Sequence, residues 1–509
     1  MLGQNGGRYT DMKLALKILG GVALVVALVV GVALWRTSQF GPKTTSAAAI
    51  TLPEPPAVDV AAAAEMLGSA IRIQTVTYAS GDPKPGADQP WIDLGAALQA
   101  RYPAIFAKMT MEKILTHAML LTWAGSDPSL PPVILMAHQD VVPVNPGTDA
   151  DWTHGPFGGV VADGYIWGRG AMDDKGSLIA ILEAGDALAK SGWSPKRTVI
   201  FAFGHDEEVS GAGAQAIFAT LKSRNVTPAM VLDEGYAVLD NYPLTGKPAA
   251  LIGVAEKGYI SLQITATTEG GHSSRPPRDS GAVRIARALV ALEEKQMPAD
   301  LSAPPFTQMI EAVAADLPFV TRLAFANQWL LGSVITGQVG SDASANAIVR
   351  TTTAPTMLSG SIKDNVLPQR ASAVVNFRIH PNDSVASVIQ HVKDVTSHIP
   401  GLTVAEYEGG IGSEPSPVSS MDSEAYRVLE AVARSTGGGQ VPVAPALVIG
   451  ATDARYASAV SKDAIYRFAP AIYDDADLNG FHGTNERLSV DNLGRMIKGY
   501  AQILMAMCS

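Results

Sequence analysis

At 509 residues the chain is longer than one hydrophobic core usually serves, about 250–300 residues, so two or three domains are expected. Its composition, 47% hydrophobic and 17% charged with 48 Gly and 33 Pro, describes a globular, loop-rich protein and excludes collagen-like or wholly disordered chains. A net charge of −10 argues against a nucleic-acid partner, and a single cysteine, Cys508, leaves no disulfide framework and no thiolate zinc site, so any metal must sit on His, Asp and Glu.

The first element is an uncharged run from Ile18 to Trp35, close to the ~20 residues needed to cross a bilayer. It predicts a transmembrane anchor over 18–36, after a cytoplasmic tail (1–17) and before a Ser/Thr/Ala/Pro-rich tether (37–56). Arg8, Lys13 and Lys17 precede the run, against Arg36 and Lys43 after it, which orients the bulk of the chain outward, periplasmic or extracellular. The alternative is a signal peptide cut near Ala47–Ala49, giving a secreted protein.

Next, apolar runs at 133–140 (VILMAHQD) and 198–208 (TVIFAFGHDEE) alternate with a helical stretch at 177–192, the rhythm of an α/β domain built on a mostly parallel sheet. Both runs end in polar residues, where ligands bind in such sheets. From about residue 256 the pattern becomes α+β: an alternating strand in ISLQITATT, a helix in GAVRIARALVALEEKQ, another strand in ASAVVNFRIH, then the helix of SVASVIQHVKDVTSHI. These predict a catalytic domain in two parts, 57–255 and 411–509, around an inserted α+β lid at 256–410. Within the lid, LPFVTRLAFANQWLLG (317–332) is too densely apolar for a one-sided surface helix, so it is expected either in the lid's own core or a lid-to-lid contact, or lining the cleft to receive an acyl chain.

Several acidic and histidine residues stand at predicted strand ends. His138 and Asp140 are two apart; Asp173 and Asp174 open a helix in GRGAMDDKGS; Glu207 and Glu208 end another strand; Asp233 and Glu234 end a third; His482 sits in FHGTNE. Each alone reads as an N-cap or a solvated loop. Together, such carboxylates repel unless a cation lies between them, and a set of His and carboxylates without thiolates suits catalytic zinc, manganese or cobalt.

The segments AHQDVVPV, GRGAMDDKGS, DEE, LDEG, GGHSS, GATDAR and FHGTNE, in this order, resemble the co-catalytic di-zinc peptidases that include aminoacylase, glutamate carboxypeptidase and carboxypeptidase S, nearest the branch acting on N-fatty-acyl amino acids. The resemblance covers nearly everything after residue 60. It implies two Zn²⁺, with Co²⁺ or Mn²⁺ as alternatives. One would be held by His138 and Asp233 and the other by Glu208 and His482, with Asp173 bridging through a turn whose Asp173–Asp174 peptide is cis. Glu234 would shape the Asp233 loop. Asp140 would orient His138, and Glu207 would be the general base, although the sequence alone leaves the roles of Glu207 and Glu208 interchangeable. His272 on the lid would stabilise the oxyanion, Arg455 would grip a free carboxylate, and Asn365 and Arg378 would face the substrate. For Arg378 a structural ion pair is an equal reading.

The function implied is hydrolysis of an amide bond next to a free carboxylate, in N-acyl amino acids or at the C-terminus of small peptides. The alternatives are deacylation of a small biosynthetic intermediate and a non-catalytic binding protein on the same fold. The partners implied are a small-molecule substrate, a membrane through the N-terminal helix and, through the lid, a second copy of the chain.

Overall fold

The computed structural model describes residues 5–42, 50–407 and 412–509. Parts of the expected tail and tether, the Ala47–Ala49 cleavage site and the 410/411 boundary lie outside these residues.

The chain begins with a helix, α1 (Asn5–Gln39), whose stretch Leu14–Gln39 has a mean hydropathy of 2.7 and is 6% buried, long and apolar enough to cross a membrane. A signal sequence near an N-terminus meets the same criterion.

Eight strands then form a mixed sheet: β1 (Thr110–Ile114), β2 (Ala118–Trp123), β3 (Val133–His138), β4 (Val199–Gly204), β5 (Met230–Tyr242), β6 (Lys247–Glu256), β7 (Val443–Val448) and β8 (Ile465–Tyr473), in spatial order β1-β2-β4-β3-β5-β8-β6-β7. The centre of the sheet, β4-β3-β5-β8, is parallel. Every residue of β3 and β4 is buried, which explains why both read as unbroken apolar runs. One face is covered by α2 (Lys175–Lys190) and the C-terminal helix Val490–Cys508, the other by α3 (Ala212–Ser223).

A second, four-stranded antiparallel sheet is made of Gly258–Thr267, Arg370–Ile379, Thr352–Ser359 and Leu402–Glu406. Helices Gly281–Glu294 and Val385–Thr396 pack on it around a separate core that includes Leu262, Leu292, Phe377 and Val392. Residues 306–349, grouped by sequence with the lid, take a different position. Their first helix, α4 (Phe306–Ala312), buries Phe306, Met309 and Ile310 against Leu251 of β6 and Ala444 and Ala446 of β7, at the edge of the central sheet. The expected 317–332 helix is two helices, α5 (Phe319–Ala326) and α6 (Gln328–Gly340), separated at Asn327. They pack into this edge core and onto the end of α1 rather than into the core of the antiparallel sheet, leaving much of their apolar surface exposed.

Candidate active site

The parallel strands β4 and β3 end side by side, with His138 paired to Gly204, and β5 parts from β3 just after Leu232. Their carboxyl ends therefore bring His138, the Glu207–Glu208 turn and the Asp233–Glu234 pair to one place. Asp173 reaches the same point from the turn before α2, and its peptide to Asp174 is cis. His482 arrives from a C-terminal loop, where it adopts a φ of 54°.

Asp173 is the centre of the cluster. One carboxylate oxygen lies 3.0 Å from His138 Nε2 and the other 3.0 Å from His482 Nε2. Glu234 Oε1 approaches His138 Nε2 at 3.5 Å, and Glu208 Oε2 approaches His482 Nε2 at 3.2 Å. Two triads result, His138–Asp173–Glu234 and Asp173–Glu208–His482, and in each the donor atoms lie within 4.8 Å of one another. Nitrogen and carboxylate donors at this spacing fit a divalent ion, and Glu208 Oε1 is buried without a hydrogen-bond partner, the mark of an oxygen awaiting a cation.

Glu234 thus stands where the resemblance put Asp233, and strand geometry gives the reason. Alternate residues of β5 face opposite sides: Val231 packs with α3, whereas Leu232 packs on the α2 side. Asp233 follows Val231 and spends its carboxylate on the Ala454 backbone N–H at 2.7 Å. Glu234 faces His138 and Asp173, and the register of β5 against β8 breaks at this point, between Asp233 and Tyr236, with Gly235 at φ 141°. No larger residue fits there, because a β-carbon at 235 would lie 2.7 Å from that of Arg467.

Asp140 is fully buried and aligns both neighbours of the cluster. Its Oδ1 lies 3.3 Å from His138 Nδ1, while its two oxygens accept the backbone N–H groups of Glu207 and Glu208 at 3.0 and 3.2 Å. Thr77 donates its hydroxyl to the same carboxylate at 2.8 Å. Among the described residues no donor is hydrogen-bonded to the Glu207 carboxylate. Burial, then the nearby Asp453, push its carboxyl well up, with Glu234 and Glu208 adding to the effect and the nearby His138 opposing it.

The same crowding governs the rest of the cluster. Burial raises Glu234 and Glu208, Asp173 adding to both. Burial would also raise Asp173, but hydrogen bonds to His138 and His482 outweigh it and hold the carboxyl well below the usual range. Hydrogen bonding to Asp173 and Glu208 pushes His482 up to about 10. A divalent ion would supply the positive charge that offsets these crowded carboxylates.

Two buried ion pairs that sequence reading did not single out hold these loops. Glu486 Oε1 accepts N–H groups from Gly170, Met172 and Asp173, while its Oε2 pairs with Arg169 at 2.7 Å. Arg169 also donates to the Gly483 carbonyl, tying the Asp173 turn to the His482 loop. Glu256 pairs with Arg467 at 2.9 Å and accepts the Thr452 hydroxyl, fixing the turn before Arg455. The only sequence signal was position: Arg169 and Glu486 lie in the same short segments as Asp173 and His482.

Arg455 donates to the Ser210 carbonyl at 3.1 Å, in the loop that follows Glu207 and Glu208, and its guanidinium lies over the Tyr456 ring. His272 and Asn365 meet elsewhere, at an exposed cavity beside the antiparallel sheet. His272 pairs with Val366 and accepts the Ser274 N–H, and the Asn365 carbonyl accepts the Ser273 N–H. Among the described residues neither hydrogen-bonds to the cluster. Arg378 lies over the Tyr259 ring, 4.9 Å from its centroid, on the antiparallel sheet.

A profile of peptidase family M20/M25/M40 matches residues 134–506. The chain is 36% identical over 440 residues to the N-fatty-acyl-amino acid synthase/hydrolase PM20D1 of Bos taurus, covering 85% of each. It is 33% identical over 446 residues to the probable carboxypeptidase S-like 2 of Dictyostelium discoideum, covering 87% of this chain and 84% of that one. Among solved structures, the fold is similar to the M20 family metallo-carboxypeptidase Sso-CP2 from Sulfolobus solfataricus, with a TM-score of 0.61 at 18% identity, covering 87% of this chain and 99% of that one. Human carnosine dipeptidase 1 gives a TM-score of 0.58 at 16% identity, covering 89% and 99%. The chain belongs to the M20/M25/M40 peptidase family and is a hydrolytic enzyme that cleaves amide bonds in a metal-dependent reaction.

Proposed function

We propose that the enzyme hydrolyses N-acyl amino acids, long-chain ones included, with two divalent ions, zinc by preference. His138, Asp173 and Glu234 would hold one, and Asp173, Glu208 and His482 the other. The observation that carries this reading is the division of Asp173, one oxygen to each histidine. When bound, the ions supply Lewis acidity that polarises the substrate carbonyl and lowers the pKa of a water.

The chain's own residues do the rest. Glu207, raised by burial and strengthened as a base, takes a proton from water as its oxygen bonds to the carbonyl carbon. It then delivers that proton to the amide nitrogen, the C–N bond breaks, and a carboxylic acid and a free amino acid result. Asp140 keeps His138 and the Glu207–Glu208 backbone in place. Arg455, in the loop system beside Glu207, receives the amino acid's carboxylate. His272 would reach the developing oxyanion from a lid formed by the antiparallel unit, with Asn365 and Arg378 as substrate contacts.

The long acyl chain is favoured by the bovine relative, whose name specifies fatty-acyl amino acids. The Dictyostelium relative favours a second reading, removal of C-terminal residues from small peptides. A panel from acetyl to dodecanoyl amino acids, with dipeptides alongside and with and without chelator, separates the two. Each buried CH₂ is worth ~0.8 kcal/mol, so four added carbons should raise kcat/KM by at least about tenfold. A flat response, or a preference for dipeptides, would establish the peptidase reading instead.

We also propose that α1 is retained as a single-pass anchor with the catalytic body on the exported side. Its apolar length and the basic residues that precede it support this.

A further inference from the structure

The C-terminal end of α1 is fastened to α5 and α6. Asn327, between those helices and fully buried, donates its side-chain amide to the Ala33 carbonyl at 3.1 Å and to Thr37 Oγ1 at 3.2 Å. Arg36 donates to the Ala326 carbonyl, and Arg322 donates to the Phe40 carbonyl. Phe40 joins the edge core with Phe325 and Ile335. Ala33 and Thr37 are buried by this contact, whereas the large apolar side chains from Leu14 to Leu34 stay largely exposed.

This attachment fixes a height. Ile18 to Trp35 is eighteen uncharged residues, which at 1.5 Å per residue is about 27 Å, close to the ~30 Å hydrocarbon thickness of a bilayer. A bilayer spanned by that stretch ends near Trp35–Arg36, and α5 and α6 touch the helix at Ala33, Arg36 and Thr37. Beside this contact, the two helices expose Phe319, Val320, Trp329, Leu330 and Val334. From 319 to 340 the only charged residue is Arg322, whose guanidinium is turned to the Phe40 carbonyl. Trp35 on α1 and Trp329 on α6 are both more than half exposed, the residue type that gathers at membrane interfaces. A contiguous apolar surface of this kind on a water-facing protein calls for a covering partner.

We propose that the α5–α6 face is a membrane-contacting surface, seated in the interfacial layer of the same bilayer that α1 spans, so that the catalytic body is held against the membrane at two places. This rests on the reading of α1 as a retained anchor. It is favoured over a second copy of the chain because the contact with α1 already sets the face at interface level.

The test uses the full-length chain in phospholipid vesicles with one environment-sensitive nitrobenzoxadiazole label per variant: Val334→Cys on α6, Leu24→Cys within α1, or Lys222→Cys on α3. Lys222 is exposed at the far side of the sheet, and the native Cys508 is buried. Emission is read with lipids carrying a doxyl quencher at a shallow or at a deep acyl position, and with aqueous iodide. The expected result is that labels at 334 and 24 lose most of their emission to lipid-borne quenchers and resist iodide, with shallow quenching dominant at 334, while the label at 222 responds only to iodide. A label at 334 quenched by iodide while 24 is quenched by lipid overturns the proposal and leaves the anchor standing. A label at 334 shielded from both quenchers, as under a second copy, also overturns it. Lipid quenching at 334 without lipid quenching at 24 supports the surface but removes the anchor, and iodide quenching at both removes both.

Discussion

In the strand-end cleft, three backbone N–H groups converge on Glu486 to shape the Asp173 turn, and both Asp173 oxygens already lie against histidines. At the turn carrying His272, the side chain is exposed and its partners are local: one N–H two residues on and a two-residue strand pairing. The cleft is therefore built in advance for a metal ion, its geometry held by buried ion pairs that solvent cannot screen. The His272 turn carries no comparable scaffold, so its contribution must come from approach to a substrate. Substitutions in the two regions should separate metal binding from turnover.

The largest effect is expected at the shared ligand. Asp173→Ala removes an oxygen from both triads and leaves two histidines without their counter-charge, so at least one ion and nearly all activity should be lost. Metal content by atomic absorption, beside kcat, checks this; full metal content in the variant would dissolve the shared role of Asp173. Glu234→Gln should likewise lower metal content, and by more than Asp233→Asn, because Glu234 faces Asp173 while Asp233 is engaged with Ala454. Equal losses would erase the distinction between the two.

On the other side of the comparison, His272→Ala should lower kcat by about 10²–10³, the usual weight of an oxyanion donor, with metal content unchanged. Loss of metal in that variant would place His272 in the cleft's scaffold.

The smallest effect is on stability. In the metal-free protein His482 is raised from 6.5 to about 10, so its bonds to Asp173 and Glu208 stabilise the fold fully below pH about 6.5, and that contribution is lost as pH rises through about 10. Lys175 and Lys257, both pushed down to about 7 by burial, contribute the opposite slope over this range. The readout is therefore the Tm difference between wild type and His482→Ala, both stripped of metal. It should shrink between pH 6.5 and 10. A constant difference would show that His482 is not tied to these carboxylates.

Legibility in the sequence followed the physics of each element. Strands β3 and β4 were readable because burial on both faces forces an unbroken apolar run, and polar residues mark where it ends. That same burial hid which of Asp233 and Glu234 faces the cleft, since without apolar–polar alternation the side of each residue cannot be read, and Gly235 shifts the register besides. The helices Gly281–Glu294 and Val385–Thr396 showed their periodicity plainly. The 317–332 stretch showed only excess apolarity; its partner is α1, 290 residues away through the Arg36–Ala326 bond, a contact no local pattern encodes. The pairing of Arg169 with Glu486 was hidden for a related reason: a buried ion pair joining residues 317 apart leaves no spacing to read, only a position beside Asp173 and His482.

The proposed mechanism divides labour between adjacent carboxylates, with Glu208 turned toward His482 as a ligand and Glu207 left as the base. It is tested most directly by measuring metal content and kcat together in Glu207→Gln and Glu208→Gln. Glu207→Gln should keep its metal and lose about 10²–10⁴ in kcat, the range of a positioned general base, while Glu208→Gln should lose metal as well as activity. Equal metal loss in the two variants, or metal loss in Glu207→Gln alone, would contradict the account.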